Sequence, residues 1–236
     1  MSAAARRRWG FHQLSDHWAQ LLVHGAGIGP RDLVVDVGAG TGAITAALLD
    51  AGARVIAVEL HPRRAYDLRV RYSHSDVVVV QADATDLRLP RRPFKVVANP
   101  PFGFASALLR RLLAPGSRLQ TADVVLPAWA ARRWASPAAP GASRWRPAFG
   151  AAVKLRLPAD AFRPPAPAPT AVLRLERRSA RVGAPNAPPA PHVRSEVDGV
   201  DVDAAPVGAF RRLRAEQVEV EGQHLASDVL QHRVTR

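Results

Sequence analysis

The feature that most constrains the fold is a regular alternation of short apolar runs with helical stretches from residue 33 onward. Runs that are short, apolar and rich in β-branched residues are typical of strands covered on both faces, as in a parallel sheet. Strand and helix in alternation therefore predict an α/β fold with a doubly wound sheet. The predicted strands are residues 33–38, 54–60, 77–83, 94–99 and 121–126, and the predicted helices are residues 42–51, 62–72, 104–113 and 128–134.

The sequence after residue 150 predicts the last two strands of the sheet, followed by a tail. Residues 151–157 and 170–177 alternate apolar and polar side chains and predict an antiparallel pair at one edge, giving a mostly parallel seven-stranded sheet with an antiparallel edge strand. Residues 160–169 are too rich in proline for a helix or a strand and predict a loop. The predicted organisation is an N-terminal basic segment (1–32), an α/β domain (33–178) and a proline-rich linker with a disordered tail (179–236).

Charge and cysteine content narrow the class of protein. The chain carries 33 Lys and Arg against 20 Asp and Glu, a net charge of +13, and the whole excess lies within residues 1–178. This balance favours a polyanionic partner such as a nucleic acid. The absence of cysteine excludes disulfide scaffolds, cysteine-ligated metal sites and a cysteine nucleophile. No apolar run approaches the roughly 20 residues that span a bilayer, and the N-terminus lacks a signal-type sequence, so we expect a soluble, cytoplasmic protein.

A glycine-rich turn follows the first predicted strand. Gly38, Gly40 and Gly42 stand where this strand passes into a helix, and glycine there lets the backbone approach a ligand closely. Glu59 ends the next strand about 20 residues later, where a carboxylate accepts hydrogen bonds from both hydroxyls of a ribose. The pattern predicts an adenosine-containing cofactor. It fits both a nicotinamide dinucleotide and S-adenosylmethionine, so the glycines alone leave the choice open.

Two further residues mark the end of the third predicted strand. Asp83 and Ala84 lie at a strand carboxyl end, and in an open α/β sheet these ends line the ligand crevice. We expect the Asp83 carboxylate to accept a hydrogen bond from the exocyclic amine of the cofactor's adenine. The Ala84 backbone N–H is the matching donor.

The motif Asn99-Pro100-Pro101-Phe102 ends the fourth predicted strand at the mouth of the same crevice. An amine conjugated to an aromatic ring is a weak nucleophile because its lone pair is delocalised. If the Asn99 side-chain oxygen and the Pro100 carbonyl each accept one N–H bond, the lone pair is aimed at an electrophilic methyl group. Phe102 offers a face for a planar base. The motif therefore selects S-adenosylmethionine over a nicotinamide cofactor and predicts direct methyl transfer to an amine, without a metal.

The ordered combination of these motifs resembles the erythromycin-resistance (Erm) ribosomal RNA adenine N6-methyltransferases and the related dimethyladenosine transferases. The resemblance covers about residues 6–178 and includes a Phe-Arg-Pro-Pro-Ala-Pro run at 162–167 and an apolar strand at 171–175. It implies a Rossmann-like, S-adenosylmethionine-dependent fold that methylates the N6 amine of an adenine in 23S ribosomal RNA. Such methylation blocks macrolide, lincosamide and streptogramin B antibiotics.

Together, the motifs and the resemblance assign roles to individual residues. The residues assigned to the cofactor are His12, Leu14, Gly38, Gly40, Glu59, Asp83, Ala84 and Asn99. His12 and Leu14 match the family segment that folds over the cofactor. The residues assigned to the target adenine are Asn99, Pro100 and Phe102, with Phe162 stacking on the other face of the base. Because no helical C-terminal domain is predicted, RNA binding falls on arginines of the catalytic domain: Arg6–Arg8, Arg110, Arg111, Arg132, Arg133, Arg144 and Arg146.

Alternatives of two classes stay open at this point. The same motif serves other amines, so the target is alternatively an adenine of small-subunit ribosomal RNA or DNA, or a protein glutamine, which the positive charge disfavours. A methyltransferase-like RNA-binding factor without turnover is the alternative of a different class. We expect a monomer that binds S-adenosylmethionine and 23S ribosomal RNA, and that binds neither a membrane nor a metal.

Overall fold

The computed structural model describes residues 12–84 and 87–178. The strands are β1 (Gln13–Leu14), β2 (Leu33–Val37), β3 (Arg54–Glu59), β4 (Val77–Gln81), β5 (Phe94–Ala98), β6 (Leu119–Pro127), β7 (Phe149–Leu157), β8 (Phe162–Arg163) and β9 (Thr170–Arg177). The helices are α1 (Asp16–Gly25), α2 (Ala43–Asp50), α3 (Pro62–Arg71), α4 (Ala105–Leu112), α5 (Ala128–Ala135) and α6 (Ala142–Trp145), and a turn of 3₁₀ helix (Ala159–Ala161) precedes β8. None of the helices within the described ranges has the length and apolar character needed to cross a membrane.

Within the described residues, seven strands form one sheet in the order β4-β3-β2-β5-β6-β9-β7. The strands from β4 to β6 are parallel, and β9 is antiparallel to both of its neighbours. The direction in which successive strands are added reverses between β2 and β5. β3 and β4 extend the sheet on one side of β2, and β5 and β6 extend it on the other side. Such a switch point opens a crevice at the carboxyl ends of the two strands. The predicted α/β class and the mostly parallel seven-stranded sheet are confirmed.

The predicted position of the antiparallel strand needs a correction. The sequence places it at the edge of the sheet, but β9 lies one place inside the edge, between β6 and β7, and β7 is the edge strand. Burial explains the difference. Most of β9 is buried over residues 170–175, whereas residues 152–154 in the middle of β7 are exposed. A strand that is apolar on both faces is more stable inside a sheet that is covered on both sides.

The proline-rich loop contains a short strand that the sequence pattern does not predict. β8 pairs antiparallel with β1, with Phe162 opposite Leu14. The Ser15 backbone N–H also donates to the Ala161 carbonyl at 2.9 Å. The two strands lie near opposite ends of the described chain, so no local pattern signals their pairing. They join the N-terminal segment to the loop that follows β7.

Helix α1 is part of the core of the sheet. Its buried residues Ala19, Leu22 and Val23 pack with Leu14, with Phe162 and with side chains of β2, β3 and α2. The stretch from residue 14 to residue 26 therefore stabilises the same core as the strands, although the sequence pattern assigns it to a separate N-terminal segment. The predicted tail (179–236) and the arginines at 6–8 lie outside the described residues.

An ion pair between a buried carboxylate and a half-buried guanidinium joins α1 to the sheet. Nη1 of Arg174, on β9, donates to Oδ2 of Asp123, on β6, at 2.8 Å and to the Ala26 carbonyl at 3.2 Å. Burial raises the pKa of Asp123 to about 6, although the neighbouring Arg174 guanidinium lowers it. Removing one partner of a buried pair leaves the other charge uncompensated, so the two residues hold the end of α1, β6 and β9 in one arrangement.

Candidate active site

A pocket lies at the carboxyl ends of β2, β3, β4 and β5, where the order of the sheet reverses. Residues that directly follow these strands line it, together with the segment before α1. All eight residues that the sequence assigns to the cofactor line this one pocket: His12, Leu14, Gly38, Gly40, Glu59, Asp83, Ala84 and Asn99. The structure brings them together, and their contact with a cofactor stays a prediction.

The glycine turn after β2 lies against the Asn99 segment. Gly38 adopts a φ of +80°, and a β-carbon built on it would lie 3.3 Å from Pro100 Cα and 3.4 Å from the Asn99 carbonyl oxygen. The left-handed backbone and the lack of space both restrict this position to glycine. The Gly38 and Ala39 N–H groups donate to the Val58 carbonyl at 2.8 and 3.0 Å, which joins the turn to β3. The turn therefore has two fixed neighbours, β3 and the segment after β5.

The Glu59 carboxylate joins the glycine turn to the start of α3. It is 4% exposed. Its Oε2 accepts a hydrogen bond from the Gly40 N–H and its Oε1 accepts one from the His61 N–H, both at 2.8 Å. Arg64 Nη1 lies 3.7 Å from Oε1. Each carboxylate oxygen has capacity for a second hydrogen bond, so Glu59 can hold the turn and still accept bonds from a diol in the pocket.

Asp36, near the end of β2, is a buried carboxyl group to which the sequence assigns no role. Thr45 Oγ1 of α2 donates to its Oδ2 at 2.7 Å, and no described group donates to its Oδ1. Burial is the largest cause of a pKa that is raised to about 7; the Thr45 hydrogen bond lowers the pKa and the nearby charge of Glu59 raises it. An acidic residue inside an otherwise apolar strand is the sequence signal that points to this group.

The backbone of the N-terminal segment orients the side chain of Asn99. Asn99 Nδ2 donates to the His12 carbonyl at 2.8 Å. With the nitrogen engaged, the carboxamide presents Oδ1, an acceptor, on its other side. His12 is held in turn, since its ring Nδ1 lies 3.2 Å from the Pro164 carbonyl and the adjoining β1 pairs with β8. The loop after β7 therefore determines which atom of Asn99 can meet a ligand.

A second pocket shares a wall with the first. Four residues line both pockets: His12, Asn99, Pro101 and Phe104. Pro100, Phe102 and Gly103 line the second pocket and not the first. Pro100 is buried and Phe102 is half-buried. One short segment after β5 thus separates a pocket with acceptors suited to an adenosine from a pocket with an aromatic side chain suited to a planar group.

Three predicted substrate residues lie away from both pockets. Phe162 is 1% exposed and packs in the core opposite Leu14. It has no free face for a base, so its predicted stacking role is corrected: the pairing of β8 with β1 places its ring in the core. Arg132 and Arg133 are exposed on α5 and line neither pocket. Their contact with RNA stays a prediction.

The first pocket also contains one cationic and one aromatic side chain to which the sequence-based assignment gives no role. Arg64 stands in the first turn of α3, beside Glu59, and Phe104 directly precedes α4 and is half-buried. The signals for them are weak: a cation shortly after an acidic strand end, and a second aromatic residue two positions after Phe102.

Two solved structures share this fold. The crystal structure of the 23S rRNA methyltransferase ErmE superposes with a TM-score of 0.62 at 28% identity, over 70% of each chain. A dimethyladenosine transferase from Plasmodium falciparum superposes with a TM-score of 0.60 at 22% identity, over 71% of this chain and 64% of the other. The sheet and the paired pockets thus define the class of protein, a Rossmann-like methyltransferase fold.

Sequence comparison narrows the class to a family. Residues 3–187 match the family model for ribosomal RNA adenine dimethylase, and the chain belongs to that family. The predicted resemblance to the Erm enzymes and the dimethyladenosine transferases is confirmed at this level. Membership implies S-adenosylmethionine as the cofactor.

The matches to individual curated relatives cover only part of each chain. An rRNA adenine N-6-methyltransferase from Bacillus licheniformis is 29% identical over 162 residues, which are 66% of this chain and 56% of that protein. The ribosomal RNA small subunit methyltransferase A of Mycobacterium tuberculosis is 38% identical over 133 residues, which are 52% of this chain and 41% of that protein. The chain therefore spans about half the length of the curated relatives it matches.

We expect Gly38→Ala to weaken both stability and cofactor binding. The added β-carbon is strained at a φ of +80° and presses on Asn99 and Pro100, so the free energy of unfolding should fall by about 1–2 kcal/mol. Urea denaturation and calorimetric titration with S-adenosylmethionine measure the two effects. Gly103→Ala is the matched control, since its φ is not positive and no atom lies within 4 Å of the added carbon. If both variants had the same free energy of unfolding and the same cofactor affinity, the close packing of Gly38 against Asn99 and Pro100 would be contradicted.

We expect Asp36→Asn to change the pH dependence of stability. A carboxyl group whose pKa is raised to about 7 by burial binds its proton more tightly in the folded chain. Its stabilising contribution is complete below the unfolded pKa of about 4 and is lost as the pH rises through about 7. The variant should therefore gain stability relative to wild type between about pH 4 and pH 8, by up to about 4 kcal/mol.

Urea denaturation across this pH range measures the difference between Asp36→Asn and wild type. Asp160→Asn removes an exposed carboxyl group and should show no such trend. A difference that stays constant with pH for Asp36→Asn would show that the Asp36 pKa is ordinary.

Proposed function

We propose that this chain transfers the methyl group of S-adenosylmethionine to the exocyclic N6 amine of an adenine in 23S ribosomal RNA. We also propose that this modification gives resistance to macrolide, lincosamide and streptogramin B antibiotics. The observation that carries the proposal is the position of Asn99, whose side-chain acceptor belongs to the wall shared by the two pockets. A methyl donor in the first pocket and an amine in the second meet at this wall.

The residues of the first pocket fit S-adenosylmethionine. The absence of a side chain at Gly38 lets the turn pack directly against Pro100, at the place where the two pockets meet. Glu59 offers acceptors for the ribose hydroxyls, and Asp83 and Ala84 line the pocket after β4, where the adenine would bind. When bound, S-adenosylmethionine supplies an electrophilic methyl group on a positively charged sulfur.

In the second pocket the chain's own groups position the target amine. Asn99 Oδ1 and the Pro100 carbonyl are the two acceptors, and each takes one N–H of the amine, so that its lone pair faces the first pocket. The ring of Pro100 is buried and keeps its carbonyl in place. Phe102 lines the pocket and offers a stacking surface to the base. Positioning and hydrogen bonding then account for catalysis, and no side-chain base with a shifted pKa is required.

Three features support an RNA adenine as the substrate. The family that the chain belongs to is described as ribosomal RNA adenine dimethylase. The solved relative at 28% identity is a 23S rRNA methyltransferase. The excess of basic residues lies within residues 1–178, the part of the chain that holds both pockets. Because one chain lines both pockets, the proposed reaction does not require a residue from a second subunit.

A second candidate substrate is small-subunit ribosomal RNA. The relative from Mycobacterium tuberculosis that is 38% identical is named a small subunit methyltransferase, and its identity exceeds that of the Bacillus licheniformis relative. The two candidates share cofactor, amine and mechanism. They differ in which RNA structure presents the adenine.

Transfer of labelled methyl groups to different acceptors tests the proposed function. Purified protein is incubated with labelled S-adenosylmethionine and with naked 23S RNA, 16S RNA, DNA or protein. We expect label in 23S RNA, and mass analysis of the nucleosides should identify N6-methylated adenosine. Label confined to 16S RNA would establish the second candidate. RNA binding without methyl transfer to any acceptor would indicate an RNA-binding factor and would refute the proposed methyltransferase activity.

We expect Asn99→Ala to lower turnover by a much larger factor than it lowers the affinity for S-adenosylmethionine. The variant loses the side-chain acceptor for the amine, and loss of one positioned group of this kind lowers turnover on the order of 100- to 1,000-fold. Asn99→Asp is the companion variant: it keeps an acceptor but loses the Nδ2 donor to the His12 carbonyl. A large rise in the S-adenosylmethionine dissociation constant for Asn99→Ala would contradict the assigned role.

A further inference from the structure

Helix α5 exposes a tryptophan. Trp129 is 62% exposed, whereas Trp134 on the same helix and Trp145 are 2% and 5% exposed and contact each other. The buried residues of α5 are Ala128, Ala131 and Trp134. Trp129 lies on the other side of the helix, so its ring is not needed to fill the core.

The exposed face of α5 also carries two arginines. Arg132 and Arg133 follow Trp129 by three and four positions, the spacing that places side chains on one face of a helix. Both are exposed. An aromatic ring and two guanidinium groups thus stand next to each other in solvent.

Trp129 lies at the same edge of the sheet as the two pockets. α5 begins directly after β6, and the Ala128 N–H donates to the Pro169 carbonyl at 2.8 Å. β6 is adjacent and parallel to β5, whose end carries Asn99. With strands about 4.8 Å apart and a rise of about 3.3 Å per residue, Trp129 stands roughly 10–15 Å from Asn99. This distance is within reach of nucleotides that flank a base in the second pocket.

The chain around Trp129 is strongly basic. Within residues 127–170 of the sequence, Asp160 is the one acidic residue. The basic residues of this stretch are Arg132, Arg133, Arg144, Arg146, Lys154, Arg156 and Arg163. A basic segment that also carries an exposed aromatic side chain suits a single-stranded nucleic acid, because phosphates pair with cations and a base stacks on the ring.

We infer that Trp129 stacks on a base next to the target adenine, while Arg132 and Arg133 bind the adjoining phosphates. This inference rests on the proposed function, since it takes RNA as the substrate. An adenine that moves out of its stack into the second pocket leaves a neighbouring base without a stacking partner. The indole ring of Trp129 replaces that partner and stabilises the RNA with the adenine extruded. Phe162 cannot take this role, because its ring is in the core.

Binding of a single-stranded oligoadenylate by Trp129→Leu tests the stacking. Leucine keeps an apolar side chain on the helix and removes the aromatic face. The dissociation constant should rise by a factor of about 5 to 150, the range for loss of one base–aromatic stack. The slope of log affinity against log salt should stay the same, because no phosphate contact is removed. Arg132→Ala should instead reduce this slope by about 0.7.

Matched controls come from the other end and the other edge of the sheet. Tyr66→Leu removes an exposed aromatic ring from α3, which packs on β3 and β4. Arg118→Ala removes an exposed arginine that directly precedes β6, at the amino edge of the sheet. Neither variant should change the affinity or its salt dependence. Trp129→Phe retains a ring, so it should keep most of the affinity but lose the quenching of tryptophan fluorescence that RNA causes in wild type.

Equal affinity of Trp129→Leu and wild type at every salt concentration, with no fluorescence quenching, overturns the inference. Methyl transfer to RNA is measured separately, so the two proposals fail in different ways. A wild type that methylates RNA while Trp129→Leu binds it normally refutes the stacking role and leaves the proposed function intact. A wild type that binds oligoadenylate through Trp129 and transfers no methyl group supports the stacking role and refutes the proposed function.

Discussion

The rest of the site depends on the contact between the glycine turn after β2 and the segment after β5. Gly38 lies so close to Pro100 that a single added carbon would be 3.3 Å from its Cα. The reversal of strand order brings these two strand ends side by side, and the missing side chain lets them touch. The two pockets share a wall for this reason, and a ligand in one is separated from a ligand in the other only by Asn99 and its neighbours.

The polar groups around this contact hold both sides of it in position. Glu59 binds the N–H groups of Gly40 and His61 and so keeps the turn in a single arrangement. The His12 carbonyl engages Asn99 Nδ2 on the other side. The β1–β8 pairing fixes the segment that carries His12. The side-chain oxygen of Asn99 is therefore positioned by residues from both ends of the described chain. Its orientation depends on how the proline-rich loop packs against the segment that carries His12.

Most of the sheet and most of the first pocket are predictable from the sequence, because both follow from local patterns. The seven predicted strands all exist, since each is a short run that is either apolar throughout or alternates apolar and polar side chains. The eight residues assigned to the cofactor meet in one pocket, since residues that follow parallel strands lie at the same edge of a sheet. The details that were not predictable include β8, the place of β9 inside the edge, and the burial of Phe162. All three depend on pairing or packing between segments that are distant in the sequence.

The sequence by itself determined the α/β class, the parallel order of apolar strands and the identity of the groups at the strand ends. Periodicity and residue chemistry are local properties, so they can be read directly from the amino-acid sequence. The tertiary structure alone decided that Phe162 is a core residue, that Asn99 presents its oxygen, and that Trp129 stands in solvent near the site. A side chain's surroundings depend on which remote segment covers it, and burial of the apolar ring of Phe162 against Leu14 contributes more to stability than exposing it at a pocket would.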